Sequence, residues 1–278
     1  MRLGTTSYIY PDEILPNVLK LADKMDDIEL VLFEVDDGPN NLPDKATLSR
    51  LCRTARENDV TYTVHLPIDL RLGDDRNEYS VEKAVRVIRH TEPLSPHGFI
   101  IHLECSSGAD SPGVERFVRN SVNALQQLIP EVGSPERLCV ENLESDTEPV
   151  IESVLHSLPV SACIDVGHLW KRGRNPGPYL DTWLPRARVV HLHGLKTRDH
   201  QGLGSMPAAW VDDLTERLVR GFDGILTIEV FRESDLIECL NVLAQSVERQ
   251  ERHGEKPQTE AFRAKVRDAL APLSTTPL

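Results

Sequence analysis

Eight short runs rich in β-branched and other apolar residues begin near Arg2, Ile28, Val60, Gly98, Arg137, Ser161, Arg188 and Gly224, and segments of helical period lie between them. This alternation constrains the fold more than any other feature. A helix between successive strands allows a parallel crossover, and eight such units in a row are the signature of a (β/α)8 barrel rather than of a doubly wound sheet. The spacing predicts helices over 12–25, 43–58, 80–90, 113–129, 148–156, 178–184, 206–220 and 234–250. The fourth is the clearest, with Val114, Phe117, Val118, Val122, Leu125 and Leu128 at steps of three and four. The 278 residues match one barrel of about 250 residues, so a single catalytic domain is expected over 1–254. The remainder, 255–278, is a polar extension expected to form a short helix and then a frayed tail through Pro272, Ser274, Thr275, Thr276 and Pro277.

Charge and composition narrow the class of partner. A net charge of −13 repels a polyanion over most of the surface, which argues against nucleic acid as the substrate. No window approaches the roughly 18 apolar residues of a membrane span, and the first residues lack the apolar core of a signal peptide, so a cytoplasmic protein with no membrane association is expected. The five cysteines (Cys52, Cys105, Cys139, Cys163 and Cys239) form no CxxC pair and read as reduced thiols.

In such a barrel the chemistry lies at the carboxyl ends of the strands, and here those ends are polar. Strand two is expected to end in Glu34, strand three in His65, strand four in His102, and strand five in Glu141 and Asn142. Strand six ends in Asp165 with His168 just beyond, strand seven in His191 and His193, and strand eight in Glu229. Alternation places Thr63 with His65, and Thr227 with Glu229, on the face opposite Tyr62, Val64, Leu226 and Ile228. If the bulky set packs on the outer helices, the acids and imidazoles converge on one mouth, where leaving them unpaired is costly and divalent cations would satisfy them. Imidazole with carboxylate suits Zn2+, Mn2+ or Fe2+ better than Ca2+ or Mg2+. More than four ligands points to two metal ions, with Glu141 as the bridge. Cys139 and Cys163 are expected as filler beneath the acids. Asp110, Glu144 and Asp146 are expected in solvated loops, and His90, His97, His156 and His253 at the surface.

Taken together, these strand ends resemble the xylose isomerase-like barrel superfamily, which includes endonuclease IV and sugar epimerases. The resemblance implies metal ligands at His65, His102, Glu141, Asp165, His168, His191, His200 and Glu229, with Glu141, Glu229 and His168 in the reaction itself. The run Asp199-His200-Gln201-Gly202-Leu203-Gly204 is similar to the family's D-x-H-x-x-x-G segment, but the position two before the histidine holds Arg198, which puts a third metal site in doubt. Within the superfamily, the stretches 3–11 and 27–34, with Val64-His65-Leu66-Pro67 and Val190-His191-Leu192-His193-Gly194, look like the cobamide-remodelling phosphodiesterases of the CbiR group. That likeness implies a metal-dependent hydrolase with two divalent ions, Zn2+ or Mn2+. Its substrate would be a small-molecule corrinoid, cut at the phosphodiester of the nucleotide loop to give α-ribazole or its phosphate and a cobinamide species. Glu34, Thr6, His193 and Asn142 are then the substrate-facing candidates. The alternative is a sugar or sugar-phosphate isomerase or epimerase, for which Glu141, Asp165, His191 and Glu229 would hold one ion; that reading leaves His65 and His102 without a task.

Overall fold

The computed structural model describes residues 1–34, 40–105, 113–145, 148–251 and 257–273. Strands β1 (Arg2–Thr6), β2 (Asp27–Val31), β3 (Thr61–His65), β4 (Phe99–Ile101), β5 (Leu138–Glu141), β6 (Ser161–Asp165), β7 (Ala187–Leu192) and β8 (Ile225–Ile228) are parallel. They pair in sequence order and β8 closes on β1, which confirms the (β/α)8 barrel.

Around it run helices α1 (Ile14–Leu21), α2 (Lys45–Asn58), α3 (Glu78–Thr91), α4 (Val114–Val132), α5 (Glu148–Ser157), α6 (Val166–Lys171), α7 (Gly177–Trp183), α8 (Ala208–Gly221), α9 (Glu233–Glu251) and α10 (Pro257–Leu273). The expected helices all form, and α6 is an addition. It starts directly on β6 because the Asp165 carboxylate accepts the His168 backbone N–H at 2.7 Å and caps the first turn. Helix α10 packs Phe262, Val266, Ala269 and Leu273 into the core, and Lys265 reaches Asp26 at 2.6 Å beneath the barrel. Burial of side chains this size stabilises by roughly 1.5–3 kcal/mol each for the large ones, so most of the expected polar extension is held in place. The boundary near 254 and the tail from Ser274 lie outside the described residues. None of the described helices is long and apolar enough to cross a membrane.

Strand alternation sorts the two faces as expected. The outward Tyr62 donates its hydroxyl to the Leu51 carbonyl of α2 at 2.9 Å, while the inward Thr63 donates to Asp27 at 2.9 Å. Ile100, Cys139, Cys163 and Val189 form a separate apolar plug inside the barrel. Burial pushes the Cys139 thiol up to about 12, in keeping with a packing role. At the opposite, amino-terminal end of the strands, Arg2, Arg137, Arg186 and Arg188 donate to backbone carbonyls of the connecting loops. His97 sits among them and is half-buried rather than at the surface; burial and the Arg188 charge push it down to about 4. His90 bonds the Pro43 carbonyl and His156 is exposed, whereas His253 lies outside the described residues.

Candidate metal centre

Glu141, the last residue of β5, lies in the middle of the barrel mouth at 1% exposure. Its Oε2 is 3.0 Å from His102 Nε2 and 3.6 Å from His65 Nε2, and its Oε1 is 3.4 Å from His191 Nδ1. His65 ends β3 and His102 follows β4; their Nε2 atoms approach to 3.1 Å because neighbouring strands deliver them side by side. From the far wall, Glu229 beyond β8 brings Oε2 to 3.2 Å from His191 Nδ1 and 3.4 Å from His200 Nε2. Three groups of ligand atoms, each within 4.8 Å of one another, result: His65, His102 and Glu141; Glu141, Asp165, His191 and Glu229; and Asp165, His168, His193 and His200. Cys163 also comes within that range of Glu141 and His191, but burial pushes its thiol well up.

These groups fit divalent cations on their own chemistry. Asp165 Oδ2, His191 Nδ1, His193 Nε2 and Glu229 Oε2 are buried and have no hydrogen-bond partner; Asp165, His191 and Glu229 share one ligand group, and His193 shares another with Asp165. Orphaned polar atoms of this kind are costly unless something charged meets them. The electrostatics agree. Burial resists ionisation of Glu141, yet His102 and His191 outweigh it and hold the carboxyl well below the usual range. His191 and His200 do the same for Glu229. Burial likewise disfavours the imidazolium of His65, but the Glu141 hydrogen bond and charge raise it to about 9. A cation at these positions would replace those protons.

The third group explains the departure at Arg198. Asp199 turns to Lys171 at 2.7 Å and to His200 Nδ1 at 3.5 Å, away from the ligand cluster. His193 stands in the cluster instead, with Nε2 3.3 Å from Asp165 Oδ1. Two local features bring it there. Gly167, at the start of α6, leaves space that a Cβ would take from the His193 ring, which would lie at 2.2 Å. The chain then folds back through paired Gly194 and Gln201, and His200, at a left-handed φ of 53°, stacks on His193 with ring centroids 4.2 Å apart.

The other expected residues meet partners within the protein. Strand β2 stops at Val31, so Glu34 lies beyond it and pairs with Arg86 at 2.6 Å instead of facing the ligands. Thr6 donates its hydroxyl to the Val230 carbonyl at 2.8 Å, and Thr5 likewise to Ile228 at 2.9 Å, so both hydroxyls tie β1 to the end of β8. Asn142 spends its amide on Asp165, accepting from that residue's N–H at 2.9 Å and donating to its carbonyl at 2.8 Å; it orients a ligand strand. Glu144 pairs with Lys171, while Asp110 and Asp146 lie outside the described residues. Two buried acids of β2, Asp27 and Glu29, were missed. Glu29, in the middle of β2, meets His191 Nε2 at 2.9 Å across the barrel. Its alternation with Asp27 and Val31 on the inner face of an otherwise apolar strand was the available signal.

The family model described as a xylose isomerase-like TIM barrel matches residues 21–262. No curated protein matches the chain. Among solved structures, a D-tagatose 3-epimerase-like protein is similar at TM-score 0.76 and 18% identity, covering 92% of this chain and 100% of that one. Endonuclease IV from Thermus thermophilus is similar at TM-score 0.64 and 18% identity, over 90% and 100% of the two chains. D-psicose 3-epimerase from Clostridium cellulolyticum, determined with D-tagatose, is similar at 0.64 and 16%, over 99% and 97%. At these identities the likeness is one of fold.

Proposed function

Because this chain belongs to the xylose isomerase-like TIM barrel family, we propose that it is a metal-dependent phosphodiesterase acting on the nucleotide-loop phosphodiester of cobamides. The observation that carries the reading is the double use of Glu141: His65 and His102 meet one of its oxygens and His191 the other, so ligand groups flank a single carboxylate on both sides. A one-ion epimerase needs only Glu141, Asp165, His191 and Glu229, and leaves the two imidazoles from β3 and β4 without a purpose. Divalent ions held by these groups would neutralise phosphoryl oxygens and acidify a water.

The protein's own residues do the rest. Glu141 spans two ligand groups and sets their separation. Asn142 and the first turn of α6 hold Asp165 and His168 in register. His168 and His200 face the ester oxygens, and Glu229, whose Oε2 lies 3.2 Å from His191 Nδ1 and 3.4 Å from His200 Nε2, can accept the proton that leaves the attacking water. The water oxygen bonds to phosphorus, one P–O ester bond breaks, and the departing oxygen takes up a proton. Around the mouth, Ile68 and Phe231 are 49% and 39% exposed, and Phe231 lies 5.4 Å from the His200 ring. With Tyr8 and Phe33 packed 5.6 Å apart beyond β1 and β2, they give an apolar rim suited to a large, mostly uncharged corrinoid.

The test is incubation of metal-replete protein with adenosylcobalamin in the dark, followed by chromatography and mass spectrometry. Chelator-sensitive release of α-ribazole or its phosphate with a matching cobinamide species is the expected result. Absence of turnover on every cobamide would sink the assignment. Ketoses and their phosphates would then be the next substrates, because Glu141 and Glu229 both approach His191 Nδ1 and offer two carboxylates for proton transfer at a single ion.

A further inference from the structure

The imidazoles of the centre are held from behind in different ways. His65 has its Nδ1 2.8 Å from the Leu66 carbonyl, and His168 has its Nδ1 3.1 Å from the Asn142 carbonyl, so backbone turns those rings. For His191 the partner is a side chain from the opposite wall, Glu29, whose Oε2 lies 2.9 Å from Nε2. Both residues are fully buried. The other oxygen, Glu29 Oε1, has no partner, and neither has His191 Nδ1. A fully buried acid satisfied at one oxygen only is a poor choice for stability, since a well-packed apolar side chain would cost less.

We propose that Glu29 is a positioning residue for the metal centre. By accepting the Nε2–H of His191 it selects the tautomer and ring orientation in which the Nδ1 lone pair faces Glu141 and Glu229, at 3.4 and 3.2 Å. A carboxylate behind the ring also raises its donor strength, which backbone carbonyls do less well. The inference concerns cation binding alone and stands whichever reaction the centre performs.

The test uses the full chain reconstituted with Co2+ alone, in wild type, Glu29→Gln and Glu29→Ala. Chelator competition and the visible absorption of bound Co2+ are the readouts, with circular dichroism to check folding. Affinity should fall about 10–100-fold in Glu29→Ala and less in Glu29→Gln, which keeps an acceptor, and the Co2+ spectrum should shift in both. His102→Ala, which leaves the Glu29–His191 contact intact, should weaken binding without reproducing that spectral shift. A purely structural Glu29 would lower the melting temperature and leave the affinity and spectrum of the bound ion unchanged, and that result overturns the proposal. So would wild-type protein that takes up no Co2+. If Glu29→Ala does not fold, the isosteric Glu29→Gln decides the matter. Failure of the corrinoid assay with a positive Co2+ result would remove the phosphodiesterase reading only.

Discussion

Replacing Asp27 with Asn should stabilise the protein at neutral and alkaline pH, by an amount that depends on pH in a defined way. Asp27 is fully buried on the inner face of β2 and accepts hydrogen bonds from Thr61 and Thr63 at 2.7 and 2.9 Å. Burial raises its pKa from 3.8 to about 7, against the lowering effect of those two bonds and with a further rise from Glu29. A folded-state pKa above the unfolded one means that the native protein holds the proton longer. The stability contribution is therefore full below about 3.8 and is lost as pH rises to about 7, beyond which the ionised carboxylate remains buried at a constant cost. Three units at 1.36 kcal/mol each set a ceiling of about 4 kcal/mol, and local relaxation lowers it. Asn carries no charge, and the threonine hydroxyls can each donate or accept, so both hydrogen bonds survive. Urea unfolding of metal-free wild type and Asp27→Asn between pH 5 and 9 should give a difference that grows with pH to ~2–4 kcal/mol and then levels off above about pH 7. A difference that does not vary with pH, or a variant less stable at pH 8, would refute the charge-burial account.

Chelation of the metal-loaded protein should abolish activity and lower the melting temperature, with Zn2+ or Mn2+ restoring both. At a free ion concentration of a hundred times Kd the linkage amounts to about 2.7 kcal/mol, and an unchanged melting curve would count against the centre. Glu141→Ala and His102→Ala should each remove turnover while circular dichroism shows a folded barrel; full activity in both would dismiss the assignment. In the chelated protein, His65 and His200, raised to about 9 against burial by Glu141 and by Glu229 respectively, contribute stability that is complete below about pH 6.5 and lost as pH rises through 9. Melting temperatures at pH 6.5 and 9 should therefore diverge downward in wild type and less so in His65→Ala.

How much was legible in sequence depended on whether the signal was local. Hydrophobic period and strand count are local, and they yielded the barrel, its parallel order and the inward set His65, Glu141, Asp165, His191 and Glu229. Glu34 was misplaced because the apolar run continues past Val31, where β2 ends, so composition alone could not show the stop. The roles of Asn142 and Thr6 depended on partners on other strands, which composition does not reveal.

That a (β/α)8 barrel would carry acids and imidazoles to one mouth follows from the order of residues alone, because strand alternation and the unit repeat are consequences of backbone geometry. How those groups combine is set in three dimensions. The pairing of β8 with β7 brings Glu229 to His191, the hairpin at Gly194 and Gln201 returns His200 onto His193, and the width of the barrel lets Glu29 on β2 reach His191 on β7. Those contacts join residues far apart in the chain, and their distances follow from the barrel's curvature and packing, which no local pattern records.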